Sequence, residues 1–212
     1  NEKEELVDIF GGMDDLKAGI IRCVGNAQAR FSEDALRILR GIRFAAQLGF
    51  ELEDETREGM RLLAPTLRKI SAERIQVELV KTLTSSRPDL LREAWKLGIT
   101  KEFLPEFDLA METTQETVHH MYTVGEHILH TLLQVRPDRI LRLTMLLHDI
   151  GKPYMKTMDA DGVAHFKGHP EKSSELANEI LHRLKFDNDT IRKVTKLVRY
   201  HDHRMPVTPA HV

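Results

Sequence analysis

Cysteine is almost missing from this chain. Cys23 is the single one among 212 residues, which excludes an internal disulfide and suits a reducing cytoplasm. Long apolar runs are also missing. Nothing approaches the ~20 residues that a membrane-spanning helix needs, so no membrane partner is expected. The first residues lack the charged-then-apolar pattern of a secretion signal. No charge of one sign dominates: 31 basic against 33 acidic residues leave a formal net charge of -2. The chain is no polycation, and any nucleic-acid contact has to come from a local basic face. Convincing strand alternation is absent outside residues 6–10 and 20–24, as are internal repeats and low-complexity tracts.

What is present is a 41% hydrophobic composition, enough for one large domain or two small ones. The opening residues run at once into Leu6-Val7-Asp8-Ile9-Phe10-Gly11-Gly12, which reads like the middle of something, so a longer parent polypeptide is expected. After residue 30 the spacing is helical almost throughout. Ser32 is predicted to cap a helix that carries Leu36, Leu39, Ile42 and Ala46 on one side and stops at Gly49. Asp54 opens a second helix, Ser71 a third over 72–83, and Pro88 a fourth that ends at Gly98. Residues 103–107 read as a linker, with a module boundary near 110. Further helices are predicted over 116–136, 139–149, 170–184 and from Asp187 or Asn188, with 153–168 as loop. The expected class is all-α: one helical module followed by a second.

The second module concentrates histidines. His148-Asp149 end an apolar helix just before Ile150-Gly151-Lys152-Pro153. His120 and His127 are seven apart and share a helix face; His148 follows Leu141 by seven; His201 continues the stripe Ile191, Val194, Val198. Three helices therefore aim imidazoles inward. Each alone reads as well as a hydrogen-bonded core histidine. Together with Asp149, whose unpaired burial is costly, they suggest a metal site. His169, between Gly168 and Pro170 at a helix start, suits a ligand or a phosphate neighbour. The predicted metal ligands are His120, His127, His148, Asp149, His169 and His201, with His148 and Asp149 also catalytic. Lys152 and Lys167 are candidate phosphate binders. Solvation of Lys167 and helix capping by Lys152 remain open. His119, His130, His165, His182, His203 and His211 are read as surface or supporting residues. Mixed nitrogen and oxygen donors suit Mn, Fe, Co, Ni or Zn better than Ca; Mg, Mn, Ni or Co is the expected cofactor. The expected chemistry is metal-assisted attack of water on phosphorus.

The ordered set His120, His148-Asp149, His169, His201 resembles the HD superfamily of metal phosphohydrolases, and His148-Asp149-Ile150-Gly151-Lys152 matches its hallmark. The stretch Arg30 to Phe50 is similar to the neck of bacterial class II tRNA nucleotidyltransferases and poly(A) polymerases. So are Phe10-Gly11-Gly12-Met13-Asp14-Asp15-Leu16, Ile21-Arg22-Cys23-Val24-Gly25 and Ser71-Ala72-Glu73-Arg74-Ile75. Asn26 and Ala35 stand where proline is common in that family, and Thr123 replaces a frequent Asp. The resemblance implies that Glu33, Asp34, Arg37 and Arg40 bind nucleotide. Asp34 accepts from an exocyclic amine and Arg37 donates to a ring nitrogen, which fits cytosine and adenine and rejects guanine and uracil. Without the resemblance, Asp34 and Arg37 are an i,i+3 surface ion pair.

In that family the transfer site is an Asp-x-Asp pair that holds two metals in an N-terminal head, after a Gly-Ser turn, and no Gly-Ser dipeptide occurs here. Asp159-Ala160-Asp161 lies in a polar loop of the second module. Residues 1–25 are therefore read as the end of such a head, 26–110 as the neck and 111–212 as the HD module. The expected partners are the tRNA 3′ end and, in the intact protein, CTP and ATP. Two rivals stand beside the HD hydrolase: a non-catalytic RNA-binding body using Arg61, Arg68, Lys69, Arg74, Lys81, Arg87, Arg92 and Lys96, and a hydrolase of nucleoside triphosphates or a signalling nucleotide.

Overall fold

The computed structural model describes residues 7–116 and 122–203. A short helix, α1 (Gly12–Ala18), leads into β1 (Ile20–Ile21), which pairs in parallel with β2 (Glu51–Leu52). The helices α2 (Ala27–Glu33) and α3 (Leu36–Leu48) lie between the two strands. Ser32 does not cap α3 as the sequence predicts; it lies inside α2. Asn26 caps α2, accepting from the Ala29 amide at 2.9 Å. The break falls at Asp34, whose backbone is extended (φ -149°, ψ 104°) and whose carboxylate accepts from the Leu36 amide at 3.1 Å. Aspartate competes with helical bonding by offering its own acceptor to a nearby amide, and here that ends one helix and begins the next. α3 then buries Leu36, Ile38, Leu39, Ile42, Ala45 and Ala46 and stops at Gly49, which takes the left-handed conformation (φ 70°).

α4 (Asp54–Leu63), α5 (Ala72–Leu83), α6 (Leu91–Lys96) and α7 (Pro105–Glu112) complete the first half, with 3-10 segments at Ala64–Lys69, Pro88–Leu90 and Thr100–Glu102 between them. Residues 103–107 are not a linker. Pro105 starts α7, while Leu104 and Phe107 are fully buried. Truncating Phe107 to Ala would cost ~3–5 kcal/mol.

The second half is α8 (Val124–Gln134), α9 (Arg139–Leu147), α10 (Lys152–Met155), α11 (His169–Arg183) and α12 (Asn188–Tyr200). Three side-chain caps set its helix starts: Thr123, Asp138 and Asp187 accept from the amides of Glu126, Leu141 and Thr190 at 3.1, 3.0 and 2.9 Å. Residues 153–168 are more ordered than a loop. They include α10 and an antiparallel pair, β3 (Thr157–Met158) with β4 (Ala164–His165). One cluster of buried residues runs from Ala27 to Val198 through both halves. Among the described residues the class is all-α with two minimal strand pairs, and no helix is long and apolar enough to cross a membrane. Two glycines set how closely its helices approach. A Cβ on Gly125 would meet Met111 Cα at 2.6 Å, where α8 crosses α7. A Cβ on Gly151 would meet the Ser173 amide nitrogen at 2.5 Å, which holds the turn after His148-Asp149 against α11.

Candidate metal centre

Four helices bring imidazoles to Asp149. Its carboxylate sits in the turn between α9 and α10 and is 1% exposed. Around it stand His127 from α8, His148 from the end of α9, His169 at the first position of α11 and His201 at the end of α12. Their Nε2 atoms divide between its two oxygens. His127 and His148 lie 3.4 and 3.3 Å from Oδ2; His169 and His201 lie 3.3 and 3.5 Å from Oδ1. Two donor groups result, His127–His148–Asp149 and Asp149–His169–His201, each with its ligand atoms within 4.8 Å of one another.

The tautomers follow from the backbone. His148, His169 and His201 each place Nδ1 at a carbonyl, those of Met145, Phe166 and Val198, at 2.8, 2.9 and 2.6 Å. A carbonyl only accepts, so each Nδ1 carries the proton and each Nε2 of a neutral ring presents a lone pair. Three lone pairs thus face a buried carboxylate, and His169 Nε2 faces His201 Nε2 at 3.3 Å. Asp149 Oδ1 is buried without a hydrogen bond. Such a set is repulsive unless the rings are protonated or a cation enters, and backbone-anchored imidazoles are the usual arrangement of metal ligands. These residues fit a divalent ion. Burial alone would push the Asp149 pKa up; His148, His169 and His201 outweigh it and hold the carboxyl well below the usual range. Burial opposes charge on His201 too, yet Asp149 beside it raises the imidazole pKa on balance.

Lys152 is not spent on helix capping. Its ammonium reaches Asp149 Oδ2 at 2.7 Å and Gln115 Oε1 at 3.2 Å. The cluster opens into a cavity of about 730 Å³ that Lys152, His165, Lys167, Glu171 and Asp202 also line. Lys167 is exposed at this cavity. His120 lies outside the described residues. His165, read from the sequence as peripheral, is at the cavity; its two-residue strand was the signal, and that strand is too short to show as alternation. Asp159 closes the hairpin turn, and Asp187, in a second Asp-x-Asp over 187–189, caps α12, so both stretches serve local structure.

The neck residues are arranged differently. Glu33 binds Arg37 at 2.6 Å and Arg30 at 2.8 Å, and Arg37 also donates to the Arg30 carbonyl at 2.8 Å. Asp34 takes Arg74 of α5 at 3.0 Å, not Arg37. Burial raises the Asp34 pKa, but the Leu36 amide and Arg74 bring it below its ordinary value. Arg40 approaches the buried Glu78 at 3.6 Å, and Arg43 at 2.9 Å. Of the basic residues expected to follow an RNA backbone, most are matched by carboxylates: Arg61 by Glu58, Arg68 by Glu102, Arg87 by Asp89, Arg92 by Glu126 and Lys96 by Glu93.

Residues 49–111 match the family model described as the probable RNA and SrmB-binding site of polymerase A, and 117–210 match the HD domain. The A-adding tRNA nucleotidyltransferase of Deinococcus radiodurans is 36% identical over 222 residues, covering 99% of this chain and 50% of that protein. The CCA-adding enzyme of Leuconostoc mesenteroides is 31% identical, covering 97% and 54%. The chain spans about half the length of the curated relatives it matches. The fold is shared with the Thermotoga maritima CCA-adding enzyme solved with tRNA, at a TM-score of 0.53 and 21% identity, covering 92% of this chain and 42% of that one. The chain belongs to the tRNA nucleotidyltransferase and poly(A) polymerase family, and corresponds to its neck and HD region.

Proposed function

We propose that the HD half is a divalent-metal phosphohydrolase for phosphomonoesters or 2′,3′-cyclic phosphodiesters. The observation that carries this reading is the convergence of backbone-anchored imidazoles on the two oxygens of buried Asp149. His127 and His148 would hold one ion with Oδ2, and His169 and His201 a second with Oδ1, with Asp149 shared. Mg, Mn, Ni or Co suits this donor set. A divalent ion there supplies Lewis acidity to a phosphoryl oxygen and to the attacking water. The chain's own residues do the rest. Lys152 and Lys167 bring positive charge to the cavity for a phosphate, and the buried walls of α8, α9, α11 and α12 hold the imidazoles rigid.

For the neck we propose selection of CTP and ATP during addition to the tRNA 3′ end by the whole protein. Asp34 and Arg37 would read the base, Glu33 would hold Arg37 in place, and Arg40 would lie at the same helix face. The names of the relatives and the RNA-binding-site match over 49–111 support this reading, as does the single cysteine for a cytoplasmic setting. Against a non-catalytic body that tracks RNA through the basic residues from Arg61 to Lys96 stands the neutralisation of most of them by carboxylates.

The test is hydrolysis of a 2′,3′-cyclic nucleotide by this chain with Mn, Ni, Co or Mg added in turn. Turnover that requires the metal and disappears in His148→Ala and Asp149→Ala is expected. Activity unchanged in both variants sinks the hydrolase reading.

A further inference from the structure

The hairpin β3–β4 borders the cavity and carries a hydrogen-bonded His–Asp pair that the Asp149 cluster does not use. His165 Nε2 lies 2.7 Å from Asp159 Oδ2. Asp159 is itself fixed, because its Oδ1 accepts from the amides of Asp161 at 3.0 Å and Val163 at 2.9 Å. Backbone geometry therefore sets the orientation of the ring. With Nε2 donating to Asp159, Nδ1 is the nitrogen left over.

His165 lines the same cavity as His127, His148, His169 and His201. Those four rings each point Nε2 at Asp149, at 3.3–3.5 Å. Among the described residues, His165 is the imidazole of the cavity that does not. It precedes His169 by four residues, so their Cα atoms lie within about 14 Å even for a fully extended chain. The turn between them shortens that span, since the Phe166 carbonyl accepts from both the His169 amide and its Nδ1.

We infer that His165, oriented by Asp159, is the general acid of this site and protonates the leaving alkoxide of a phosphoester. The inference rests on the hydrolase reading and deepens it. Water attacks phosphorus and the P–O bond to the alcohol breaks. The electron pair stays on the departing oxygen, which takes the Nδ1 proton of the imidazolium. The proton lost by the attacking water restores the imidazolium, so ester and water give alcohol and phosphate. Asp159 holds the orientation of the ring throughout. Such an acid matters only for leaving groups that need a proton. The substrates it serves are esters of unactivated alcohols, such as a ribose hydroxyl, while 4-nitrophenolate departs unaided.

The experiment compares 2′,3′-cyclic AMP with bis(4-nitrophenyl) phosphate, both with Mn²⁺, for the unmodified chain, His165→Ala and Asp159→Asn. Mn²⁺ affinity is measured by calorimetry on each. His165→Ala should lose about 10²–10⁴-fold on the cyclic nucleotide and little on the nitrophenyl diester. Its Mn²⁺ affinity should stay unchanged, and Asp159→Asn should lose a smaller factor in the same pattern. Equal losses on both esters would make His165 structural and overturn the proposal, as would no loss on either. A fall in Mn²⁺ affinity would make it a ligand instead. Absence of turnover of either ester by the unmodified chain would instead remove the hydrolase reading, and this proposal with it.

Discussion

The neck and the HD centre each gather charged and titratable side chains from several helices, and they satisfy them in opposite ways. In the neck every candidate nucleotide residue has a partner of opposite charge: Glu33 with Arg37, Asp34 with Arg74, Arg40 near Glu78. These groups are mostly half-exposed or exposed, so the arrangement is complete and cheap without a ligand. In the HD centre, imidazoles anchored through Nδ1 turn their lone pairs onto a buried carboxylate, one of whose oxygens has no hydrogen bond. Lys152 pairs with Oδ2 at 2.7 Å, but Oδ1 and the lone pairs that face it stay unsatisfied. A site that is satisfied when empty can exchange its partners for a base; a site unsatisfied when empty is built around the charge that completes it.

Removing the shared carboxylate should separate the two regions most sharply. Asp149→Ala is expected to lower Mn²⁺ affinity by more than the ~100-fold that loss of an outer partner costs. Calorimetry checks it, and Arg37→Ala should leave that affinity unchanged. Metal itself should stabilise the fold: at 100 times its dissociation constant an ion adds about 2.7 kcal/mol. For a chain of this length that raises Tm by roughly 5–10 °C, read by thermal melts with and without chelator, and Asp149→Ala should abolish the rise. Gly151→Ala drives a Cβ into the Ser173 backbone and should cost about 1–3 kcal/mol in denaturant melts, with weaker Mn²⁺ binding as His148-Asp149 shift from α11. Asp34→Ala removes an exposed ion pair and the acceptor for the Leu36 amide. About 1 kcal/mol of stability should be lost, with no change in Mn²⁺ affinity.

The smallest effect lies at the edge of the HD half. Lys156 lies 2.6 Å from the Glu116 carboxylate and, with Thr114, lowers its pKa to about 2. A carboxyl lowered on folding contributes stability above its unfolded value, near 4.5, and loses that contribution as pH falls towards 2. An NMR titration should find the Glu116 midpoint near 2, and Lys156→Ala should move it up towards 4.5.

Helix periodicity made α3, α5, α9, α11 and α12 legible, because their apolar residues recur at the helical interval and cap residues such as Asp187 need only local geometry. The break at Asp34 was not legible, since Ser32 offers the same kind of cap two residues earlier. Residues 103–107 looked like a linker because burial of Phe107 depends on distant helices rather than on its neighbours. Among the described candidates, His127, His148, Asp149, His169 and His201 do come together around one carboxylate.

The amino-acid sequence by itself determined the helical class, the family and the identity of most groups near Asp149, since spacing and residue type are properties of the chain. Tertiary structure decided what those groups face. That the imidazoles divide between Oδ1 and Oδ2, that Lys152 turns to Asp149, that Arg74 takes Asp34, and that His165 reaches the cavity all depend on elements far apart in sequence. Hydrogen bonds and ion pairs act over a few ångströms, and only packing of the helices fixes which side chains come that close.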